Sequence, residues 1–579
     1  MLPKLDRRRP FCLKLSLAMV SICLSADIVR SQTPPSSDIL PPLRPETPPL
    51  PAPRTPLPPP EDLLPSPSPP AFKTPLGTVP GTITVKKFRF IGNTAFSSKT
   101  LAQALARFTN RPITFAELLS ARTVVTEFYF NHGYITSGAL IPPNQAILGG
   151  VVTIQVVEGR LEQIKVTGTR RLNPNYVLER LKLATSKPLN RNRLLEALQL
   201  LQLNPLIKNL SAELSAGSRL GTSVLEVQVT EAKTFIPQLT LDNDRPPSVG
   251  TFQRGLQLTE ANLLGLGDGL SAGYTNTDGS NNVNGSYTLP LNPRNGTLSL
   301  SYGTTVSHVI EPPFNKANIK ANYRYYDVTL RQPVFQTPSL EFALGLTGSH
   351  RESDVTFFGS HFSGPLISPG ADNRGRTRIS ALRFFQEWTS RSSREVIAAR
   401  SQFNLGVNAI NATIHRTAPD SRFFAWQGQG QWVRLLAPDT LLLIRGNIQL
   451  ATTTLVPLEQ FGLGGQETVR GYRQDFLLTD NAALASIEVR LPIYRAPKEL
   501  AVLQLAPFVD VGTAWNNSAT NQQNSNTPNT LASIGLGLRL QLGNNLTARF
   551  DYGVPLVDVS SRKRTWQEKG LYFSVQYNP

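Results

Sequence analysis

The second half of the chain is a long series of short segments in which apolar and polar residues alternate. One such segment alternates Leu442, Ile444, Ile448 and Leu450 with Leu443, Arg445, Asn447 and Gln449. Successive side chains of a β-strand point to opposite faces, so each segment predicts a strand with one apolar and one polar face. A soluble β-sandwich gives the same alternation. The number of segments, their glycine content and the absence of helical patterns between them favour a closed barrel with a watery interior.

Sixteen candidate strands follow Ala232, and an even number lets an antiparallel barrel close on itself. They start near residues 235, 251, 268, 281, 295, 320, 338, 376, 396, 421, 440, 479, 501, 531, 545 and 570. Closure matters because lipid offers no hydrogen-bond partner to a backbone group. The sequence therefore predicts a 16-stranded transmembrane antiparallel β-barrel over residues 233–579, wide enough to leave an aqueous lumen.

The lengths of the connections predict how this barrel is oriented. The long gaps all follow odd-numbered strands, at 305–319, 351–375, 452–478, 513–530 and 554–569. Gaps after even-numbered strands are short, as at Pro438-Asp439. Bacterial barrels have short turns on the periplasmic side and longer loops outside. Both ends of the barrel are therefore expected to face the periplasm.

Composition and charge exclude other classes of protein. The chain has 579 residues, of which 17% are charged, and its two cysteines are Cys12 and Cys23. It contains no run of about 18 apolar residues, so membrane-spanning helices are excluded. The formal net charge is +18, but the arginines are dispersed among the strands rather than collected in a stripe. Nucleic-acid binding is therefore not expected.

Motifs for enzyme chemistry are missing from the sequence. There is no Gly-x-x-x-x-Gly-Lys-Ser/Thr loop for a nucleotide and no His-Glu-x-x-His helix for zinc. The five histidines show no metal-ligand spacing; they are His132, His308, His350, His361 and His415. We therefore expect no enzymatic activity, no cofactor and no metal site.

The N-terminus has the pattern of an export signal followed by a linker. Lys4 and Arg7-Arg8-Arg9 precede the mostly apolar Leu15–Ala26, which predicts a cleavable signal peptide over residues 1–31. A twin-arginine signal is the alternative, but an outer-membrane β-protein crosses unfolded, which favours the general export route. Prolines recur through residues 32–81 and predict an extended, semi-rigid tether. A proline-directed binding motif is the other interpretation of this linker.

Residues 82–159 and 160–232 are predicted to be two copies of one β-α-α-β-β module. The first copy contains Val85–Ile91, a helix begun by the capping box Thr114-x-x-Glu117, Gly138–Ile141 and Val151–Val157. The second contains Leu161–Thr167, Asn175–Leu183, Arg191–Gln202, Ser211–Ser215 and Ser223–Val229. Each module is expected to leave a strand edge that accepts an extended peptide as an added strand. A blunted or covered edge is the alternative.

Three groups of motifs stand in order along the chain. Module 1 contains Gly92-Asn93, Gly133-Tyr134, Gln145 and Glu158-Gly159; the long gap after the eleventh strand contains Val469-Arg470-Gly471-Tyr472; and a later strand contains Phe508-x-Asp510-x-Gly512. Together they resemble the two-partner secretion transporters of the ShlB/FhaC/HecB type (TpsB), in the superfamily that includes the BamA barrel-assembly proteins. The first group resembles the family's polypeptide-transport-associated (POTRA) repeat. The second resembles its inward-folded loop, and the third resembles the strand motif that meets this loop.

Strand alternation gives the loop motif a physical role. Phe508, Asp510 and Gly512 fall on the polar, inward face of their strand. A loop that folds into the barrel brings Arg470 to Asp510, where a charge-assisted pair in a confined site is stronger than an exposed one. Gly471 permits a close backbone approach, and Gly512 leaves room on the wall. The alternative is an extracellular loop with Arg470 in water.

The resemblance implies an outer-membrane transporter in a Gram-negative-type bacterium, with its two modules in the periplasm. It would secrete a haemolysin- or adhesin-like partner by capturing the unfolded chain on the modules and passing it through the barrel. Other implied partners are outer-membrane lipid and the barrel-assembly machinery, which would recognise Tyr577 near the end of the last strand.

A BamA-like assembly factor is the alternative function, and two modules rather than more favour secretion. A passive porin has no use for such modules, and the series of barrel strands argues against an adhesin. The family commonly has an N-terminal plug helix, but Gln32–Leu50 is too rich in proline to form one.

Overall fold

Two small α/β modules precede a closed barrel. The computed structural model describes residues 63–64, 81–145, 147–358, 363–496, 501–517, 528–559 and 564–579. The signal peptide, the plug segment and most of the proline-rich linker predicted above lie outside these ranges.

Module 1 is built on two small sheets. Its elements are β1 (Thr82–Val85), β2 (Lys87–Ile91), α1 (Ser98–Ala104), β3 (Arg111–Thr114), α2 (Phe115–Asn131), β4 (Gly138–Leu140) and β5 (Val151–Val157). Strand β2 is parallel to β5, which pairs antiparallel with β4. Strands β1 and β3 form a separate antiparallel pair. The capping box predicted at Thr114 and Glu117 is present at the start of α2.

The single strand predicted at Val85–Ile91 is wrong, because the chain breaks there into β1 and β2. Between them the backbone N–H of Lys86 donates to the carbonyl oxygen of Gly150 at 2.8 Å. This bond turns the chain, so β1 leaves the main sheet and pairs with β3. The two-stranded sheet β1–β3 is therefore an addition to the predicted β-α-α-β-β order.

Module 2 repeats the main sheet of module 1. Its elements are β6 (Arg160–Thr167), α3 (Pro174–Lys182), α4 (Arg191–Gln202), β7 (Ile207–Ala216) and β8 (Thr222–Glu231). Strand β6 is parallel to β8, and β7 is antiparallel to β8. Leu63 and Leu64 of the linker are each 2% exposed and belong to this module's apolar core. The linker thus contributes side chains to module 2, which its proline content did not indicate.

A glycine at the end of the first sheet strand marks the repeat. Gly92 and Gly168 have φ values of +85° and +84°. A Cβ at Gly92 would lie 2.4 Å from the carbonyl oxygen of Val156, and one at Gly168 would lie 2.2 Å from that of Val229. Both positions therefore need glycine for conformation and for space.

A glutamate two residues after each of these valines strengthens the same contact between the first and last strands of the sheet. The Glu158 carboxylate accepts the backbone N–H of Ala95 at 2.7 Å, and the Glu231 carboxylate accepts that of Leu172 at 2.9 Å. Each glutamate ties the end of the last strand to the loop after the first strand. The two modules therefore share this contact as well as their element order.

The barrel has sixteen strands, as predicted. They are β9 (Phe235–Asp242), β10 (Gln253–Glu260), β11 (Gly269–Asn276), β12 (Ser280–Pro290), β13 (Thr297–His308), β14 (Ile319–Gln336), β15 (Leu340–Phe358), β17 (Arg376–Arg391), β18 (Glu395–Val407), β19 (Phe424–Ala437), β20 (Thr440–Ala451), β23 (Asn481–Arg495), β24 (Ala501–Trp515), β25 (Thr530–Leu542), β26 (Leu546–Pro555) and β27 (Leu571–Tyr577). Each pairs antiparallel with its neighbours, and β27 pairs with β9 to close the barrel. Short β16 (Ser363–Pro365) adds to the end of β15. Apolar side chains point outward, such as Val509, which is 48% exposed.

The loop predicted at 351–375 begins later than expected, because β15 continues to Phe358. Its polar residues Arg351 and Asp354 stay paired in the ladder with Tyr325 and Asn322 of β14. Their polarity therefore indicates a strand with wet surroundings rather than the start of a loop.

We expect Gly168→Ala to lower the free energy of unfolding of module 2 by roughly 2–4 kcal/mol, because the new Cβ meets a backbone oxygen that cannot retreat. Gly149→Ala is the matched control, since Gly149 also has a positive φ (+66°) but has nothing within 4 Å of its Cβ position. That variant should lose only about 1 kcal/mol. Hydrogen exchange of module peptides in the full-length protein measures both. Equal losses at the two sites would contradict the close-approach account.

Candidate functional site

The connection between β20 and β23 folds into the barrel. Within it β21 (Phe461–Leu463) and β22 (Leu477–Thr479) pair as a short hairpin. Buried apolar residues of this connection pack with barrel-wall residues in one cluster: Leu463, Val469, Tyr472, Phe476 and Leu477 with Ala482, Leu484, Ala514 and Leu531. We call residues 452–480 the inner loop. It is part of the packed interior and not a free extracellular segment.

Arg470 of the inner loop is fully buried against the wall and pairs with Asp510 of β24. Its Nε and Nη2 donate to Asp510 Oδ2 and Oδ1 at 2.7 and 2.8 Å, and its backbone N–H donates to Oδ2 at 3.1 Å. Both side chains have 0% exposure. This bidentate geometry is the strong, directional form of an arginine–carboxylate pair. The extracellular alternative, with Arg470 in water, is therefore wrong.

Two further wall carboxylates complete the surroundings of this guanidinium. Arg470 Nη1 lies 2.7 Å from Glu488 Oε2 on β23 and 3.7 Å from Asp551 Oδ1 on β26. Its Cζ lies 3.3 Å above the centre of the Phe508 ring. We call Asp510, Glu488 and Asp551 the wall carboxylates. They neutralise a charge that would be costly to bury alone.

The wall carboxylates are themselves shared with wall arginines. Arg539 lies 2.9 Å from Glu488 Oε2 and 2.7 Å from Asp551 Oδ1. Arg549 lies 2.5 Å from Asp551 Oδ2, and Arg490 lies 2.8 Å from Glu488 Oε1. The site is thus a network, so removing Arg470 unbalances several strands at once.

The residues beside Arg470 fix the backbone of the loop. The N–H of Gly471 donates to the hydroxyl of Tyr572 on β27 at 3.0 Å, and that hydroxyl donates to the carbonyl of Tyr472. The hydroxyl of Tyr472 donates to the carbonyl of Ala532 on β25 at 2.8 Å. Gly471 has φ +97°, a conformation that favours glycine. The loop motif is therefore bonded to the last strands as well as to β24.

Gly512 gives the loop its space on the wall. A Cβ at this position would lie 2.6 Å from Leu463 and 3.1 Å from Val469, both in the inner loop. Phe508, on the same face, is 2% exposed and lies under Arg470 rather than in open water. The structure thus brings Val469, Arg470, Gly471 and Tyr472 together with Phe508, Asp510 and Gly512.

Sequence reasoning missed Glu488, Asp551 and Tyr572 as partners of the loop. A partial signal was present, because alternation placed Asp551 on the polar face of its strand. Which inward residues meet across adjacent strands depends on the register, and the pattern alone does not fix it. The path of the inner loop, which decides the wall residues that it meets, is likewise not given by the pattern.

The lumen beside the inner loop is polar. A cavity of about 910 Å³ is lined by residues that include Gln257, Asn284, Thr329, Arg400 and Gln427. The inner loop forms part of its boundary at Leu458–Phe461.

In module 1, Glu158 joins three parts of the fold. Besides Ala95, its carboxylate accepts the backbone N–H of Thr94 at 2.6 Å and the hydroxyl of Tyr129 on α2 at 2.8 Å. Burial raises the pKa of this carboxyl, but the hydrogen bonds from Ala95 and Thr94 outweigh burial and hold the pKa below its usual value. Glu158 therefore acts as an internal brace.

Other predicted residues of module 1 also satisfy backbone groups. The side-chain amide of Asn93 donates to the carbonyl of Phe96 at 2.8 Å, and the Phe96 ring contacts that of Tyr134 edge-on at 5.5 Å. Gln145 accepts the N–H of Thr153 at 2.7 Å and donates to its carbonyl at 3.1 Å. Gln145 thus takes the place of a neighbouring strand beside β5.

Gly133 and Gly159 lie at the junction of the two modules. The carbonyl of Gly133 accepts the N–H of Arg191 at 2.8 Å, and that of Gly159 accepts the N–H of Leu189 at 2.8 Å. The start of α4 is thereby fixed to module 1. Two residues of the module motif therefore join the modules and the others brace module 1, whereas the loop and strand motifs meet in the barrel.

Membrane-spanning helices and metal-binding clusters are both absent from the described residues. No helix there has the length and apolarity needed to span a bilayer. The same ranges contain no group of three or more His, Cys, Asp or Glu residues placed to hold a metal ion.

A closed sixteen-stranded barrel with a buried inner loop and an N-terminal pair of α/β modules defines an outer-membrane protein of the transporter type. A family model described as "Haemolysin secretion/activation protein ShlB/FhaC/HecB" matches residues 221–540. A model of the ShlB-type POTRA domain matches residues 83–159. The chain belongs to the ShlB/FhaC/HecB family of two-partner secretion transporters.

Known relatives agree with this assignment. The outer membrane transporter CdiB of Escherichia coli (strain 536) is 24% identical over 506 residues, which are 84% of this chain and 81% of CdiB. The heme/hemopexin transporter protein HuxB of Haemophilus influenzae (strain 86-028NP) is 21% identical over 487 residues, which are 80% of this chain and 82% of HuxB. The predicted resemblance, the location in the outer membrane and the secretion of a partner protein are thereby confirmed.

Solved structures share the fold. CdiB from Escherichia coli superposes with a TM-score of 0.64 at 21% identity, covering 88% of this chain and 92% of that one. CdiB from Acinetobacter baumannii gives 0.59 at 18% identity, with 98% and 97% covered. BamA from Haemophilus ducreyi, lacking POTRA domains 1–3, gives 0.52 at 14% identity, with 86% and 100% covered.

Module 1 is expected to lose stability in acid through Glu158. Its pKa is lower in the folded than in the unfolded protein, so its stabilising contribution is complete above the ordinary value of 4.5 and is lost as the pH falls through the folded pKa. Glu158→Gln should remove this part of the pH dependence and weaken the module at neutral pH. Hydrogen exchange of module 1 peptides, corrected for intrinsic rates, measures both effects. An identical acid response in the variant and the native chain would contradict the role of Glu158.

Proposed function

We propose that the chain secretes its partner by releasing the inner loop from the wall carboxylates and passing the unfolded partner through the vacated lumen. The observation that supports this is the burial of Arg470. A cation with 0% exposure inside a polar barrel is held in one position, and the loop that bears it occupies space that a translocating chain needs.

The periplasmic modules supply the capture step. In the described part of module 1, β2 and β4 each pair with β5, which leaves the outer edge of each strand without a sheet partner. In module 2 the corresponding edges belong to β6 and β7. An extended segment can add to such an edge through backbone hydrogen bonds, which read conformation more than sequence. This mode suits a partner that arrives unfolded.

The loop contact then sets the resting position of the transporter. Breaking one partner of a buried ion pair typically costs about 3–5 kcal/mol, so the loop stays in place until a competing interaction releases it. Without Arg470, Asp510 would be a buried carboxylate without its cation, whereas Glu488 would keep Arg539 and Arg490. The loop would lose its bidentate contact with the wall.

Folding of the partner outside the cell supplies the free energy for transport, because the sequence has no nucleotide-binding motif. Outer-membrane lipid surrounds the apolar face of the barrel, and the barrel-assembly machinery inserts it, with Tyr577 as part of the recognised strand. The chain is a transporter and has no enzymatic activity of its own.

Assembly of other barrels is the second candidate, favoured by the shared fold with BamA. Quantitative proteomics of medium and envelope, with and without the gene, separates the two. Loss of one or a few large proteins from the medium, with other barrels unchanged, is the expected result. A general loss of barrels would establish the assembly function instead, and no change in either fraction would point to a passive pore.

Arg470→Ala should reduce secretion of the partner severalfold while leaving the barrel inserted, because the loop loses its bidentate contact and the wall loses a shared cation. Arg400→Ala is the matched control. Arg400 lies 4.2 Å from the Phe385 ring centre and 2.8 Å from Glu387, but both partners belong to the wall. Immunoblots of medium and heat-modifiable barrel measure secretion and insertion. Full secretion by Arg470→Ala, or an equal loss in the control, would contradict the proposal.

A further inference from the structure

A second charged contact holds the inner loop to a different part of the wall. Glu459, near the start of the loop, has a side chain with 5% exposure. Its Oε1 and Oε2 accept from Arg383 Nη2 and Nη1 on β17 at 2.7 and 3.0 Å. Its Oε1 also accepts from Arg351 Nη1 on β15 at 2.8 Å. The loop thus has a bidentate arginine–carboxylate pair here as well as at Arg470.

The backbone at this point is fixed too. The side-chain amide of Gln449 on β20 donates to the carbonyl of Glu459 at 3.0 Å and to that of Asp480 at 3.1 Å. Gln449 is 1% exposed. It therefore joins the beginning and the end of the inner loop, so Glu459 is not on a loosely held segment.

The two contacts lie on separate walls. Arg351 and Arg383 belong to β15 and β17, which pair directly. The wall carboxylates belong to β23, β24 and β26, and strands β18, β19 and β20 stand between the two groups along the shorter path. The inner loop is therefore held at the β15–β17 wall as well as at the wall carboxylates. Arg473 of the same loop adds a pair with Glu311, between β13 and β14, at 2.8 and 3.2 Å.

The polarity of the two contacts is opposite. At the Glu459 contact the loop supplies a buried anion and the barrel supplies arginines; at the Arg470 contact the loop supplies a buried cation and the barrel supplies carboxylates. The loop also places the exposed Glu467 beside Arg549 at 2.7 Å. A loop placed in the reverse sense would bring like charges together, which is a strong penalty in a confined site. The two buried contacts thus favour the observed position of the loop over the reversed one.

We propose that Glu459 is a second positioning residue of the transporter, and that the lumen opens only when the Glu459 and Arg470 contacts both release. Phe461, Leu463 and Val469 lie between Glu459 and Arg470 in the chain and belong to the apolar cluster that joins loop and wall. Both contacts are therefore attached to one packed segment. The inference depends on one part of the proposed function, namely that the inner loop obstructs the lumen.

Ion conductance of the purified full-length protein in planar bilayers tests this without any secreted partner. Glu459→Gln keeps the size of the side chain and removes its charge. We expect the open fraction to rise by about tenfold or more, because a desolvated pair loses one charge. Arg470→Ala should act in the same direction, and the double variant should exceed each single one.

The matched control is Glu387→Gln. Glu387 also accepts from two arginines, with Arg331 at 2.7 Å and Arg400 at 2.8 Å, but both lie on wall strands. It should leave the open fraction at the native value. An equal rise in this control would overturn the inference, since any lumen charge would then have the same effect. A native open fraction in Glu459→Gln, with Arg470→Ala open, would also overturn it and would leave the proposed function standing.

Exchanging the charges separates positioning from folding. Glu459→Arg combined with Arg383→Glu restores an opposite-charge pair at the same place. Closure in the exchanged pair, with Glu459→Arg alone open, supports the inference even if Glu459→Gln inserts poorly. An exchanged pair that is as open as Glu459→Arg alone contradicts it.

Discussion

Backbone groups embedded in lipid have no water to bond to, and the rest of this structure follows from that constraint. Sixteen strands satisfy it only if the last pairs with the first, which β27 and β9 do through four residue pairs, from Ser574 with Asp242 to Tyr577 with Leu239. Beyond Asp242 the side chain of Asn243 continues the closure, accepting the N–H of Phe573 and donating to the carbonyl of Leu571. A barrel of this width has an interior that side chains from the wall alone do not fill.

The inner loop fills part of that interior, and charge decides where it lies. An arginine inserted among polar strands needs carboxylates within bonding distance, and β23, β24 and β26 supply them. A glutamate inserted elsewhere needs cations, and β15 and β17 supply those. Buried ion pairs add little net stability but discriminate strongly between alternative placements. The loop therefore has one specific resting position, and its release during transport stays a prediction.

Alternation predicted much of this arrangement. Every barrel strand begins within three residues of its expected start, because the period of two is enforced by lipid on one face and water on the other. The same period placed Asp510 inward, and the predicted inward-folding loop brought Arg470 to it. The Arg470–Asp510 contact is present, and its control of secretion stays a prediction. Glu488, Tyr572 and Glu459 were not found, since their meeting depends on strand register and on the path of the loop.

In the modules, too, local features could be predicted from the sequence and features that depend on distant contacts could not. A turn glycine and a capping box are local signals, so Gly92 and Thr114 were found in the sequence. The break at Lys86 depends on Gly150, far along the chain, and has no local signal. Leu63 and Leu64 are two leucines among prolines, without the periodicity that marks a core element. Their burial in module 2 depends on tertiary packing alone.

The most direct test of the account is to tie the inner loop to the wall. Outside Cys12 and Cys23 the chain has no cysteine, so Val469→Cys with Gly512→Cys, whose positions are in contact, creates a single candidate disulfide. The account predicts that the oxidised protein inserts normally and secretes nothing, that reduction restores secretion to the level of Gly512→Cys alone, and that Val469→Cys alone secretes throughout. Unimpaired secretion by the fully cross-linked protein would show that the loop need not move and would contradict the central claim.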